Sequence, residues 1–116
     1  MNKYELQERT KNFAVRVFKM AEKLPKTRGA EIVVSQIIKS SSSLAANYRA
    51  ACRAKSKADF INKLKIVEEE TDESLFWLEF IVAIGLVQEK LLINLMKEAS
   101  ELLAIFTAAL KTSRKS

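Results

Sequence analysis

SSSLAANYRAACRAKSKADF, residues 41–60, joins a run of small side chains to a cluster of cations with no glycine or proline between them. Serine costs a helix only about half a kcal/mol per position relative to alanine. Ser40 to Ser43, followed by Ala45, Ala46, Ala50 and Ala51, therefore predict a helix with small side chains on several faces, which lets its neighbours approach closely. No glycine-rich loop accompanies the serines, so they carry little weight as a phosphate-binding cluster. Ser56 with Asp59 three residues on forms a capping-box pattern, which places a turn near Lys55 and the start of another helix.

On either side of this stretch the chain repeats the same grammar. A first helix over about 2–24 carries Leu6, Phe13, Ala14, Val17, Phe18, Ala21 and Leu24 at helical spacing, with Asn2 and Glu5 to cap it and Pro25 to stop it. The second runs over about 30–53 and places Val33, Ile37, Leu44, Tyr48 and Ala51 on one stripe. The third, about 57–84, has an expected core stripe of Phe60, Leu64, Val67, Leu75, Leu78 and Val82, and Gly85 is placed to end it. The fourth, about 88–111, is expected to bury Leu91, Leu92, Leu95, Ala99, Leu102, Phe106 and Leu110. Two glycines and one proline in 116 residues fit long helices with short connections. The expectation is one all-α domain over 1–116, an up-down-up-down four-helix bundle.

Cys52 has no partner for an internal disulfide, which fits a reducing cytosol, and it is expected to be a small buried side chain beside the apolar stripe. The charged start MNKYELQERTK lacks the apolar core of a signal peptide. The longest apolar run, FIVAIGLV, has eight residues against the roughly 20 of a membrane span, so a cytoplasmic protein without a membrane partner is expected.

Charge is distributed unevenly. The net charge is +6 from 20 basic and 14 acidic residues. Lys39, Ser42, Ala46, Arg49, Arg53 and Lys57 share a helical face opposite the apolar stripe. In an up-down bundle the 54–57 connection lies at the same end as both termini, so Lys3, Arg49, Arg53, Lys55, Lys57, Lys63, Lys111, Arg114 and Lys115 collect there. Residues 66–80 carry six acids and no base. A bundle with a basic pole results, and Arg49, Arg53, Lys55, Lys57 and Lys63 are the candidate contacts to nucleic-acid phosphates. No exposed aromatic is expected near these cations, so base-specific reading is not. A second unusual surface is Phe76, Trp77, Phe80 and Ile84, which lie off the core stripe and point to a subunit interface.

From Ser41 to Glu79, SSSLAANYRAACRAKSKADFINKLKIVEEETDESLFWLE, and in the first-helix stretch FAVRVFKMAEKLP, the chain resembles a bacterial four-helix-bundle family. That family includes proteins encoded by intervening sequences within large-subunit ribosomal RNA genes. Many relatives have Asn-Ile-Ala-Glu-Gly where this chain has NYRAA; Asn47 matches, while Arg49, Ala50 and Ala51 differ, which suggests a subgroup. The resemblance implies a homopentameric ring and no enzymatic activity. A similar fold serves as the accessory protein of diversity-generating retroelements, which binds nucleic acid and a reverse transcriptase.

With no histidine, the usual triads and histidine-containing metal sites are excluded. No cofactor is expected. Glu70 with Glu73, and Glu98 with Glu101, resemble the metal-binding pairs of helical magnesium-dependent nucleotide pyrophosphohydrolases, a distant alternative. The favoured expectation is a non-enzymatic homo-oligomer that binds RNA or DNA, and the alternative is a scaffold with protein partners only.

Overall fold

The computed structural model describes residues 1–115 as four α-helices: α1 (Lys3–Ala21), α2 (Arg28–Ala51), α3 (Lys57–Ala83) and α4 (Glu89–Lys115). Each of the first three starts where local chemistry satisfies its first N–H groups. Asn2 and Glu5 form a reciprocal capping box on α1, with Asn2 Oδ1 accepting from Glu5 N at 2.9 Å. Thr27 caps α2, which begins two residues before the expected start, and Ser56 caps α3 by accepting from Asp59 N at 3.1 Å. Gly85 follows the end of α3 at φ 78°, the left-handed conformation that an L side chain resists. Pro25 falls beyond α1, which ends at Ala21 rather than Leu24.

The connections are short, so consecutive helices run antiparallel around one core in an up-down-up-down bundle, 46 × 22 × 20 Å along its principal axes. Sequence neighbours pack side by side. α2 and α3 approach most closely along their length, and α1 and α4 close the ring loosely. Phe13, Ile37, Leu44, Leu64, Leu78, Leu102 and Phe106 are among the fully buried side chains.

Several expected core positions are corrected. Beyond Val67 the buried line of α3 continues through Thr71, Ser74, Leu78 and Ile81, while Phe60, Leu75 and Val82 are only partly buried. The straight 3.6-residue repeat passes through Thr71 and Ser74, and counting apolar residues alone skipped them. Both hydroxyls return a hydrogen bond to the preceding turn, Thr71 to Val67 O at 2.7 Å and Ser74 to Glu70 O at 2.9 Å, so their burial leaves nothing unsatisfied. Leu91 is 67% exposed, because it lies one step past the edge of its stripe at the loose α1/α4 side, and Phe18 is 49% exposed on the other flank of α1, the helical face of Gln7 and Lys11. Cys52 is half-buried, since it caps the end of α2 where the bundle opens. The serine run has the packing role expected of it: Ser40 and Ser41 are buried, and Ser40 Oγ and Ser74 Oγ hydrogen-bond across α2/α3 at 2.9 Å.

Candidate functional site

The antiparallel order brings the start of α1, the end of α2, the start of α3 and the end of α4 to one end of the bundle. Lys3, Arg49, Arg53, Lys55 and Lys57 lie exposed there, together with Lys111, Arg114 and Lys115, and Lys63 is half-buried beside them. The whole face Lys39, Ser42, Ala46, Arg49, Arg53 and Lys57 is exposed, opposite the buried stripe of α2.

Two hollows flank α2 at this end, and Arg49 and Arg53 line both. The first, about 440 Å³, lies against α1 and includes Lys3, Tyr4, Lys11, Ala45, Ala46 and Cys52. The second, about 420 Å³, lies against α3 and adds Ala50, Lys55, Asp59 and Lys63. The small residues at 45, 46 and 50 leave the space that the cations border. Lys57 is exposed at the first position of α3 and lines neither hollow, so the line from Arg49 through Arg53 does not extend to it as a groove.

Among the described residues Arg49, Arg53, Lys55 and Lys57 have no carboxylate within ion-pair distance. Lys63 differs: it is paired with Asp59, one turn earlier on α3. Hydrogen bonds from Lys63 Nζ and from Lys55 N hold the Asp59 carboxyl below its ordinary range. Lys63 is thus partly neutralised, because the Asp59 carboxylate reaches Lys55 N and Lys63 rather than closing a capping box on Ser56 N. Under this end of the core, Tyr48 packs against Phe106, with ring centroids 5.4 Å apart and the planes tilted by 41°. Burial, and a hydrogen bond with the Cys52 thiol, push the Tyr48 phenol well above its ordinary value.

Sequence reasoning missed Tyr4. It is 68% exposed in the first turn of α1, with Lys3 Nζ 5.3 Å from its ring centroid, and it shares the first hollow with both arginines. Lying just before the apolar repeat begins, it carried no burial signal. Only the antiparallel α1/α2 pairing, which lays residue 4 beside residue 49, could have drawn attention to it.

The second surface lies away from this end, on α3. Phe76 and Ile84 are exposed, and Trp77 and Phe80 are half-buried against the core. The three rings form one cluster, with centroids 5.0 Å apart for Phe76–Trp77 and 5.4 Å for Trp77–Phe80. Trp77 Nε1 donates to Glu73 at 3.2 Å. The second carboxylate pair is engaged elsewhere: Arg9 binds Glu98 through two hydrogen bonds of 2.7 Å and Glu101 at 2.9 Å. No cluster of three or more histidine, cysteine, aspartate or glutamate side chains that could hold a metal occurs among the described residues, so Glu70, Glu73, Glu98 and Glu101 do not gather into one site. No described helix is long and apolar enough to cross a membrane.

Comparison with known proteins adds two findings. The sequence profile of the family described as 23S rRNA-intervening sequence protein matches residues 2–108. The crystal structure of a protein of unknown function from the S23 ribosomal protein family of Bacteroides thetaiotaomicron superposes with a TM-score of 0.87 and 28% identity, covering 96% of this chain and 99% of that one. No curated protein matches.

Proposed function

The chain belongs to the 23S rRNA-intervening sequence protein family, and from that premise we propose that it is a non-enzymatic, cytoplasmic homo-oligomer that binds nucleic acid, RNA foremost, through its basic end. The observation that carries this reading is the cluster of cations: Arg49 and Arg53 border two adjoining hollows, with Lys55 and Lys57 beside them, and among the described residues none of the four has a carboxylate within ion-pair distance. Cations free of internal partners are available to phosphates, and each phosphate contact releases counterions. RNA is placed ahead of DNA because the family is named for intervening sequences of 23S rRNA. Assembly into a ring, with a pentamer favoured, would repeat the contact around a symmetry axis. The ring cluster of exposed Phe76 with half-buried Trp77 and Phe80, continued by exposed Ile84, is the proposed subunit contact.

Binding of labelled RNA and DNA to the purified protein at about 50 mM and 200 mM salt tests the function. Affinity should fall by about a hundredfold or more over that range, since several phosphate contacts together cost roughly two to five decades. Absence of binding at the lower salt would falsify the reading. Light scattering tests assembly separately: a monomer mass at micromolar concentration removes the ring, while a dimer keeps the interface and removes the pentamer.

The same aromatic cluster favours a second reading, a scaffold with protein partners alone. On that reading the cluster meets another protein and the basic end remains a solvated face. Binding to nucleic acid that is absent at low salt, with assembly intact, would favour it.

A further inference from the structure

Resting on the nucleic-acid reading above, we infer that the hollow between α1 and α2 takes single-stranded rather than duplex nucleic acid, with an unpaired base stacked on Tyr4 and the adjoining phosphates held by Arg49 and Arg53. Four observations converge on it. Tyr4 leaves 68% of its surface in solvent, so its ring is available for stacking. It lines the same hollow as the two unpaired arginines. Ala45 and Ala46 add little more than methyl groups to the α2 wall of the hollow, which leaves room there between the longer side chains. At about 440 Å³ the hollow lies within the roughly 300–1,000 Å³ of small-molecule sites, large enough for a base with its sugar.

Charge agrees with this placement. Among the described residues the one carboxylate lining the hollow, Glu8, is paired with Lys11 at 2.9 Å, which leaves Lys3, Arg49 and Arg53 there without an ion-pair partner. The Lys3 ammonium near the Tyr4 ring adds a cation beside the stacking surface. The Asn2–Glu5 capping box holds this first turn in helical form, so the ring is presented from a fixed backbone rather than a fraying end. Aromatic side chains next to a cationic track are the general means of gripping single strands, because every base has a stacking face. In a duplex those faces are covered by neighbouring bases, and only the backbone is offered.

The test uses fluorescence anisotropy with an unstructured RNA of about 12 nucleotides, within the span that single-strand grooves cover, and the same strand annealed to its complement. The parent should bind the single strand more tightly. Tyr4→Ala should weaken single-strand binding roughly tenfold and leave duplex binding unchanged, while Tyr4→Phe keeps the parent's affinity. Arg49→Gln with Arg53→Gln should weaken binding to both. Circular dichroism of Tyr4→Ala should match the parent, since the side chain is exposed. A parent that binds both forms equally, a silent Tyr4→Ala, or an equal loss on both forms overturns this inference while leaving the phosphate reading in place. A parent that binds neither overturns both.

Discussion

The α2/α3 and α1/α4 seams enclose the same core and are built on opposite principles. Across α2/α3 the helices come close because serines face each other: Ser40 and Ser74 are fully buried and share a hydrogen bond. Across α1/α4 the helices stand further apart, and one long side chain, Arg9, reaches from α1 to Glu98 and Glu101. Exposed Leu91 and half-buried Met20 border the hollow left in that seam, which Arg16, Lys19 and Lys23 rim. The close seam is specified by what is too small to separate the helices. The loose one is tied by charge at the surface, where pairing is worth less. The difference implies that volume changes should damage the first and charge changes the second.

The largest expected effect is at the close seam. Ser74→Leu should destabilise by about 3 kcal/mol, because the added volume has no space and the bond between Ser74 and Ser40 is lost, leaving Ser40 its bond to Ile37 O. Chemical denaturation measures it, and a loss under about 1 kcal/mol would mean the seam yields freely. Next comes Arg9→Ala, expected to cost about 1 kcal/mol, since the pair is only partly buried. Ser40→Ala should cost less than about 1 kcal/mol, because Ser74 keeps its bond to Glu70 O.

Acidity separates the two regions further. Hydrogen bonds from Arg9 hold the Glu98 carboxyl below its ordinary value, despite the opposing effect of burial. Its contribution to stability is fully present above the unfolded value of about 4.3 and is lost as pH falls through the lower folded value. The stability gap between the parent and Arg9→Ala should therefore close on acidification below about pH 4. A gap that persists at about pH 3 would point to packing of the Arg9 stem instead. Glu70 has the reverse sign: burial and the neighbouring Glu73 raise its value, with Lys39 only partly offsetting them. Its ionisation opposes folding at neutral pH, and that penalty disappears as pH falls through its raised folded value. Glu70→Gln should stabilise by about a few tenths of a kcal/mol near pH 7, the smallest change in the series.

How much of this was readable beforehand differs along the same divide. Caps at Asn2 and Ser56 and the glycine after α3 are local, and local chemistry is what a sequence displays directly. The small residues of α2 pointed to the close seam, but Ser74 and Thr71 were passed over on α3 because a buried hydroxyl looks polar until its backbone partner is seen. Leu91 and Phe18 were expected in the core; Leu91 is exposed because the loose seam does not need every apolar side chain its helices offer, and Phe18 because it falls on the outer flank of α1 beside Lys11. At the basic end, the cations were legible from topology alone. The pairing of Lys63 with Asp59 sits in a cap signal that reads equally well without it. The placing of Tyr4 beside Arg49 and Arg53 depends on which faces meet between helices, and no single-helix pattern contains that.

The unpaired cations of α2 and the α2–α3 turn are held to bind phosphates, and everything functional rests on that. It is tested most directly by log affinity against log salt for the parent and for the Arg49→Gln, Arg53→Gln, Lys57→Gln triple variant on one RNA. The parent should show a steep slope. With assembly and helicity unchanged, the variant should bind more weakly and more flatly, losing roughly 0.7–0.9 of slope per phosphate contact removed. A variant that keeps the parent's affinity and slope would contradict the account.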